Sequence, residues 1–526
     1  MEDSVLLMQR LHEYIRDSGL YFQLKKAAQD ELTKSASSSD MKKDLIKVLK
    51  NSGYDVKLQN EVFRFQTHPA NLKKCSAEGN CEKDPLDYMR KAQTSWEKCI
   101  TKSINSMCTE LVLPLARKRS VKDQETFATE FNALRIGSHY DEEGSKKLRP
   151  VYSSADFFEA LITVKNANYT PINKSGNNLE QWRLIKPSIS VKDIHELRKL
   201  FLQLDRQYPQ CGIDDVTSSS TESFLHEWQK LGAKVVRKGH SAAARQYAKQ
   251  GCPTGLRKKI WMCILGMEME NLDMLYYEQL KNFVFEYDLL VDKLIMKDVR
   301  LTTTNDDSFF VFEDIIYQVL LIFSRDTWLL ERCNYINSSP PKSYVRGNFG
   351  IPELQVNYPP SGVIPFHGFA MYAAPLCYIY EDPMTLYYVF RELYFRYFCR
   401  LHVISSDSQG VLALCSLFEN LLQSHEPWLF KHILDIGGQP LRIVFNWIMF
   451  AFSGYLATDQ TLQLWDRIFG FDSLELLPVL AVAILSYRRE NLLAADTVQS
   501  LEAVLADLST IKVIPLIVSF LAGKKV

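Results

Sequence analysis

The chain has 526 residues, 46% of them hydrophobic and 24% charged, which is ample material for a large core and for more than one structural unit. Lys and Arg number 62 and so do Asp and Glu, so no basic excess points to nucleic acid or to an anionic membrane surface. No apolar run reaches the ~18–20 residues of a membrane helix, and the opening Met-Glu-Asp-Ser lacks the layout of a signal peptide.

A cytoplasmic chain is therefore expected. There, the sequons at Asn168 and Asn173 would stay unmodified and the eleven cysteines would stay reduced. No Cys-x-x-Cys pair or nearby His pair occurs, so neither a metal nor a cofactor is expected.

Residues 1–210 predict a helical region whose role the sequence does not disclose. Leu7, Leu11, Tyr14 and Ile15 share one helical face, and a second helix is expected from Asp40 to Gly53. Between 85 and 113, Met89, Trp96, Ile100, Ile104, Met107 and Leu111 recur at three- and four-residue steps, the mark of a long amphipathic helix ending before Pro114. Loops are expected at 138–152 and 166–190, then a helix from about Val191 to Leu204. His195-Glu196 begins like a zinc-protease motif, but Lys199 stands where the second His belongs.

Residues 211–240 are read as a linker, on the Ser/Thr/Asp-rich run from Cys211 to Glu222. A helix then follows, with Ser241 as its cap, and Gly251 closes it. Pro253, Leu256, Arg257, Ile260, Trp261 and Leu265 predict a short amphipathic helix with a sharp entry, stopped by Gly266. Helices are expected over 272–300 and 308–330. Cys333–Pro365 is rich in Pro and Gly, a long loop of the kind that is functional or disordered. From Gly368 the chain predicts helices almost to its end, with no sustained period-2 pattern and no internal repeat.

Several of these stretches, in this order, resemble one family. Gly251-x-Pro253, Leu256-Arg257, Trp261 and Leu265-Gly266 look like the opening motif of the TBC domain. Glu426-Pro427-Trp428-Leu429 with His432-Leu434 (as written in the family, Pro-x-Leu-x-x-His-Leu), Phe445-Asn446-Trp447, and Leu464-Trp465-Asp466 resemble its later segments. The resemblance covers about 245–490, with helices over 491–526 packing on. It implies an all-α fold: a helical N-terminal region followed by an all-helical TBC domain.

It also implies a function. TBC proteins as a family accelerate GTP hydrolysis by Rab small GTPases, supplying an Arg from Ile-x-x-Asp-x-x-Arg and a Gln from Tyr-x-Gln-Gly. An Arg suits charge that develops on phosphate. Here the first motif reads Ile295-Met-Lys-Asp298-Val-Arg300-Leu301, with the Arg one residue early. The second reads Pro365-Phe366-His367-Gly368, with His in the Gln position. Arg300 is thus either a displaced finger or a solvated arginine. His367 is either a substitute able to orient water or a residue tolerated after the finger was lost.

The resemblance implies a GTP-bound Rab as partner, a role in membrane trafficking and peripheral recruitment to intracellular membranes through that partner. The chain would have no substrate of its own and would act, at most, in trans on Rab-bound GTP. The alternative is an adaptor that binds a Rab without accelerating hydrolysis.

Overall fold

The protein is described from a computed structural model. It describes residues 87–133, 148–165, 183–213 except 188 and 206, 219–305, 309–332, 342–345 and 354–523, with short stretches at 11–16, 20–21, 23–26 and 58. Of the first expected helix, 11–16 is helical; the helix expected at 40–53 lies outside the described residues, as do most of the expected loops at 138–152 and 166–190.

The fold is all-helical. The N-terminal region gives α1 (Asp87–Leu111), a short strand β1 (Ala116–Lys118), α2 (Val121–Asn132), α3 (Ser154–Thr163) and α4 (Ile194–Leu200). The spacing read from sequence places α1 correctly: Met89, Gln93, Ile104 and Met107 are its buried face. In α4, Glu196 closes a capping box with Asp193.

Next come α5 (Ser219–Lys238), α6 (Ser241–Ala248), α7 (Thr254–Leu265) and α8 (Asn271–Glu286), then β2 (Tyr287–Leu289) and α9 (Leu290–Asn305). Helix α5 corrects the sequence reading of 211–240 as a linker. The Ser/Thr run starts a helix of 20 residues, because Leu225, Trp228, Leu231 and Val235 behind it follow helical spacing. Ser241 does not cap α6. It is the first helical residue, and its hydroxyl donates to the carbonyl of Ile264 at 2.8 Å, tying α6 to α7. Pro253 precedes α7, and Gly266 ends it in the left-handed conformation.

The remaining helices are α10 (Glu313–Arg325), α11 (Thr327–Arg332), α12 (Pro383–Arg396), α13 (Val411–His425), α14 (Pro427–Asp435), α15 (Pro440–Met449), α16 (Thr458–Phe471), α17 (Leu476–Tyr487), α18 (Arg489–Leu493), α19 (Val498–Leu505) and α20 (Val513–Leu521). Between α11 and α12, β3 (Lys342–Val345) pairs antiparallel with β4 (Leu354–Asn357), Lys342 opposite Asn357. Strand β1 pairs with β2, Ala116 opposite Leu289. Ladders of three and four residues are too short to leave an alternating pattern, which is why the sequence shows none.

One continuous core runs from Met89 to Leu521. Helix α10 lies at its centre, with every residue from Ile316 to Arg325 buried. The N-terminal helices close over it through side chains that cap distant backbone. The Gln93 amide donates to the Ile404 carbonyl at 2.6 Å, and Gln318 donates to the Phe131 carbonyl. Glu419 accepts from the amides of Leu184 and Ile185, and Arg198 donates to the Leu521 carbonyl.

Candidate functional site

Two polar centres organise the helical half. The first is Asp466, fully buried on α16. A lone buried carboxylate is very unfavourable, so its partners carry the explanation. Arg257 of α7 donates to both of its oxygens at 3.0–3.2 Å, the Trp261 indole donates at 2.7 Å, and the Cys252 amide donates at 3.0 Å. Arg257 also donates to the Cys252 carbonyl. Next along α16, the buried Arg467 donates to the carbonyls of Cys211 and Gln250 at 2.6 and 3.0 Å. Gly251 has φ +94°, and a Cβ there would sit 2.4 Å from the Arg467 guanidinium. Trp465 donates to the Ala451 carbonyl, and Trp447 is buried beside it in the same core. Arg257, Trp261, Trp465 and Asp466 are thus hydrogen-bonded within the core, with Gly251 against Arg467.

The second centre is Asp298, on α9 and buried. Its two oxygens accept from the amides of Gly368 and Ala370 at 2.6 and 2.7 Å. That caps the short 3-10 turn Phe369–Tyr372 and holds the 365–368 loop against α9. Burial pushes the Asp298 carboxyl up to about 7, against the two amides, which pull it down. Gly368 has φ +93°, and a Cβ there would meet the Phe450 ring at 2.7 Å.

His367 projects from this loop with 43% of its side chain exposed, its Nδ1 3.8 Å from Asp298 Oδ1, beyond hydrogen-bonding distance. Burial, then the charge of Lys297, holds its imidazole below the ordinary value, so it is neutral at pH 7. The His367 amide donates to the Tyr152 carbonyl at 3.1 Å, and the Tyr152 ring stacks on Phe366 at 5.1 Å. The N-terminal region therefore abuts this loop directly.

Arg300 goes elsewhere. It lies two residues past Asp298, a rotation of about 200° around the helix, and its guanidinium meets Glu313 at 3.4 Å. Position 301, three residues past Asp298, shares the Asp298 face, and it holds Leu301. Arg300 thus pairs with Glu313, while His367 stands beside Asp298 without a hydrogen bond to it.

The Rab-GTPase-TBC domain model matches residues 366–493. TBC1 domain family member 19 of Homo sapiens is 49% identical over 529 residues, covering 99% of this chain and 98% of that protein. The chain belongs to the TBC family. TBC1 domain family member 5 homolog B of Dictyostelium discoideum is 25% identical over 103 residues, 19% of this chain and 10% of that protein. The crystal structure of the Chlamydomonas flagellar RabGAP TBC domain is 13% identical, covers 53% of this chain and 83% of that one, and has a TM-score of 0.38.

Within this TBC protein, sequence reasoning missed three residues of the loop's surroundings. Tyr152 lies far away in sequence and left no signal. Glu313 opens α10 and looks like an ordinary first-turn acid. Lys297 could have been found, since it stands four residues before Leu301 on a predicted helix. Among the described residues no helix is long and apolar enough to cross a membrane, and no group of three His, Cys, Asp or Glu gathers as for a metal.

Proposed function

We propose that this chain engages a GTP-bound Rab GTPase in membrane trafficking through the face formed by α9 and the 365–368 loop, and that it does so without a two-finger hydrolytic mechanism. One observation carries this reading. Asp298 still holds the loop, but the adjoining face presents Leu301, while Arg300 is turned to Glu313. His367 supplies a neutral imidazole where the family uses Gln, so it can accept or donate one hydrogen bond at a time per nitrogen. The chain would sit in the cytoplasm and reach membranes through its partner.

Purified full-length protein assayed against a panel of Rabs tests this. GTP-dependent binding to at least one Rab is expected, with GTP hydrolysis unaccelerated. Acceleration by the wild-type chain that disappears in Arg300→Ala overturns the non-catalytic part.

A second reading, an active GAP with a displaced finger, has one observation in its favour. The Arg300–Glu313 pair is about one-third exposed on both sides, and such pairs are worth only about 0–1 kcal/mol. A docking partner could release Arg300 at small cost. Under this reading, Glu313→Ala raises the hydrolysis rate.

A further inference from the structure

We propose that Lys297, beside His367, is the cation that this face presents to the phosphates of the nucleotide on a GTPase partner. The proposal rests on the Rab reading above and names the residue that would sense the nucleotide state.

Helix geometry brings Lys297 to the place. It precedes Leu301 by four residues and so lies on the same face, one turn back. Its ammonium donates to the Leu148 carbonyl. The same five-residue strap, Leu148–Tyr152, also receives the His367 amide at Tyr152. Four residue steps reach at most ~14 Å, so both groups sit along one short segment. The strap is itself fixed, because Ser103 donates to the Val151 carbonyl at 2.9 Å and Arg149 donates to Ser103.

The groups are also uncommitted. An ammonium has three donors, and the strap takes one. Among the described residues no carboxylate pairs with Lys297, whereas Arg300 has Glu313. The next residue along α9, Asp298, is engaged by the amides of Gly368 and Ala370. His367 Nδ1 faces inward, buried and without a hydrogen-bond partner among the described residues, so only the other side of the ring is open to a partner. An ammonium with free donor capacity on a partly exposed surface fits phosphate oxygens. A lysine binds phosphate as a point charge, without the planar fork of arginine. That suits recognition of charge, and so binding, better than the fixed alignment hydrolysis demands.

The test measures affinities of the full-length chain for GTP- and GDP-loaded Rabs, for wild type, Lys297→Ala, Lys297→Arg and Arg300→Ala, with thermal melts confirming that each folds. The expected result is a loss of about tenfold or more for the GTP-loaded form in Lys297→Ala, the size of one charge-assisted contact. The GDP-loaded form should change little, Lys297→Arg should keep most of the affinity, and Arg300→Ala should stay within about twofold. Retained GTP preference in Lys297→Ala overturns the proposal.

If the wild-type chain binds no Rab, the Rab reading itself has failed, and that is seen before any variant is compared. Lysine acetylation footprinting then decides the anion site alone. Slower acetylation of Lys297 in millimolar inorganic phosphate supports it, and an unchanged rate overturns it.

Discussion

Asp466 and Asp298 are both buried carboxylates on helices, and they are dressed differently. Around Asp466, an arginine, an indole and a backbone amide converge, so charge and hydrogen bonds are both answered inside the core. Around Asp298, backbone amides answer without a charged partner in hydrogen-bond contact, and burial lifts the carboxyl to about 7. The first centre locks helices α7 and α16 together. The second merely holds a loop, and the side chains beside that loop are half-exposed and loosely tied. The contrast teaches that one buried carboxylate can lock two helices together while another only positions a loop.

Substitutions can break this contrast in graded steps. Asp466→Ala should have the largest effect, about 3–5 kcal/mol in urea unfolding, because it strands a buried guanidinium. A loss under 1 kcal/mol would mean that the two centres are energetically alike. Gly251→Ala should follow at about 2 kcal/mol, since it strains a positive φ and presses on Arg467, which is pinned by two carbonyls and cannot swing away.

Asp298→Asn should cost about 1–2 kcal/mol at pH 8, since its NH2 replaces one of the two oxygens that each accept from a backbone amide and would face an N–H donor. It also sharpens the comparison through pH. The folded carboxyl titrates near 7 and the unfolded one near 4, so the folded state binds the proton more tightly. Stability from this group is present below about pH 4 and is lost as pH rises through 7. Between pH 5 and 8 the wild type should therefore lose more stability than Asp298→Asn does, read as the shift in urea midpoint. Glu313→Ala should be smallest, no more than about 1 kcal/mol in stability.

The elements set by one helical stripe were legible in the sequence: α1 from Met89 to Leu111, α7 between Pro253 and Gly266, and the apolar helices near the C-terminus. The burial of Trp447 and Trp465 was legible as well, because a large indole belongs in a core, whereas the Arg257–Asp466 pair left no local signal. Other features depend on tertiary partners. Helix α5 was hidden by the Ser/Thr run that starts it. The single helix expected over 272–300 breaks at Tyr287, where β2 pairs with a strand 171 residues earlier in sequence. The polar environment of His367 comes from Tyr152 and Lys297, and Tyr152 could not be paired with it by any local pattern.

The ladder between β1 and β2 bears on how the chain is made. Arg117 stands opposite Asp288, so the strand that emerges first must wait for its mate. At a synthesis rate of about 5–20 residues per second, that wait is roughly 10–35 s. The Gln93 amide must wait longer still for the Ile404 carbonyl. The buried face of α1, Met89, Ile104 and Met107, belongs to the same core. The core that buries this helix is therefore completed only after most of the chain has been synthesised.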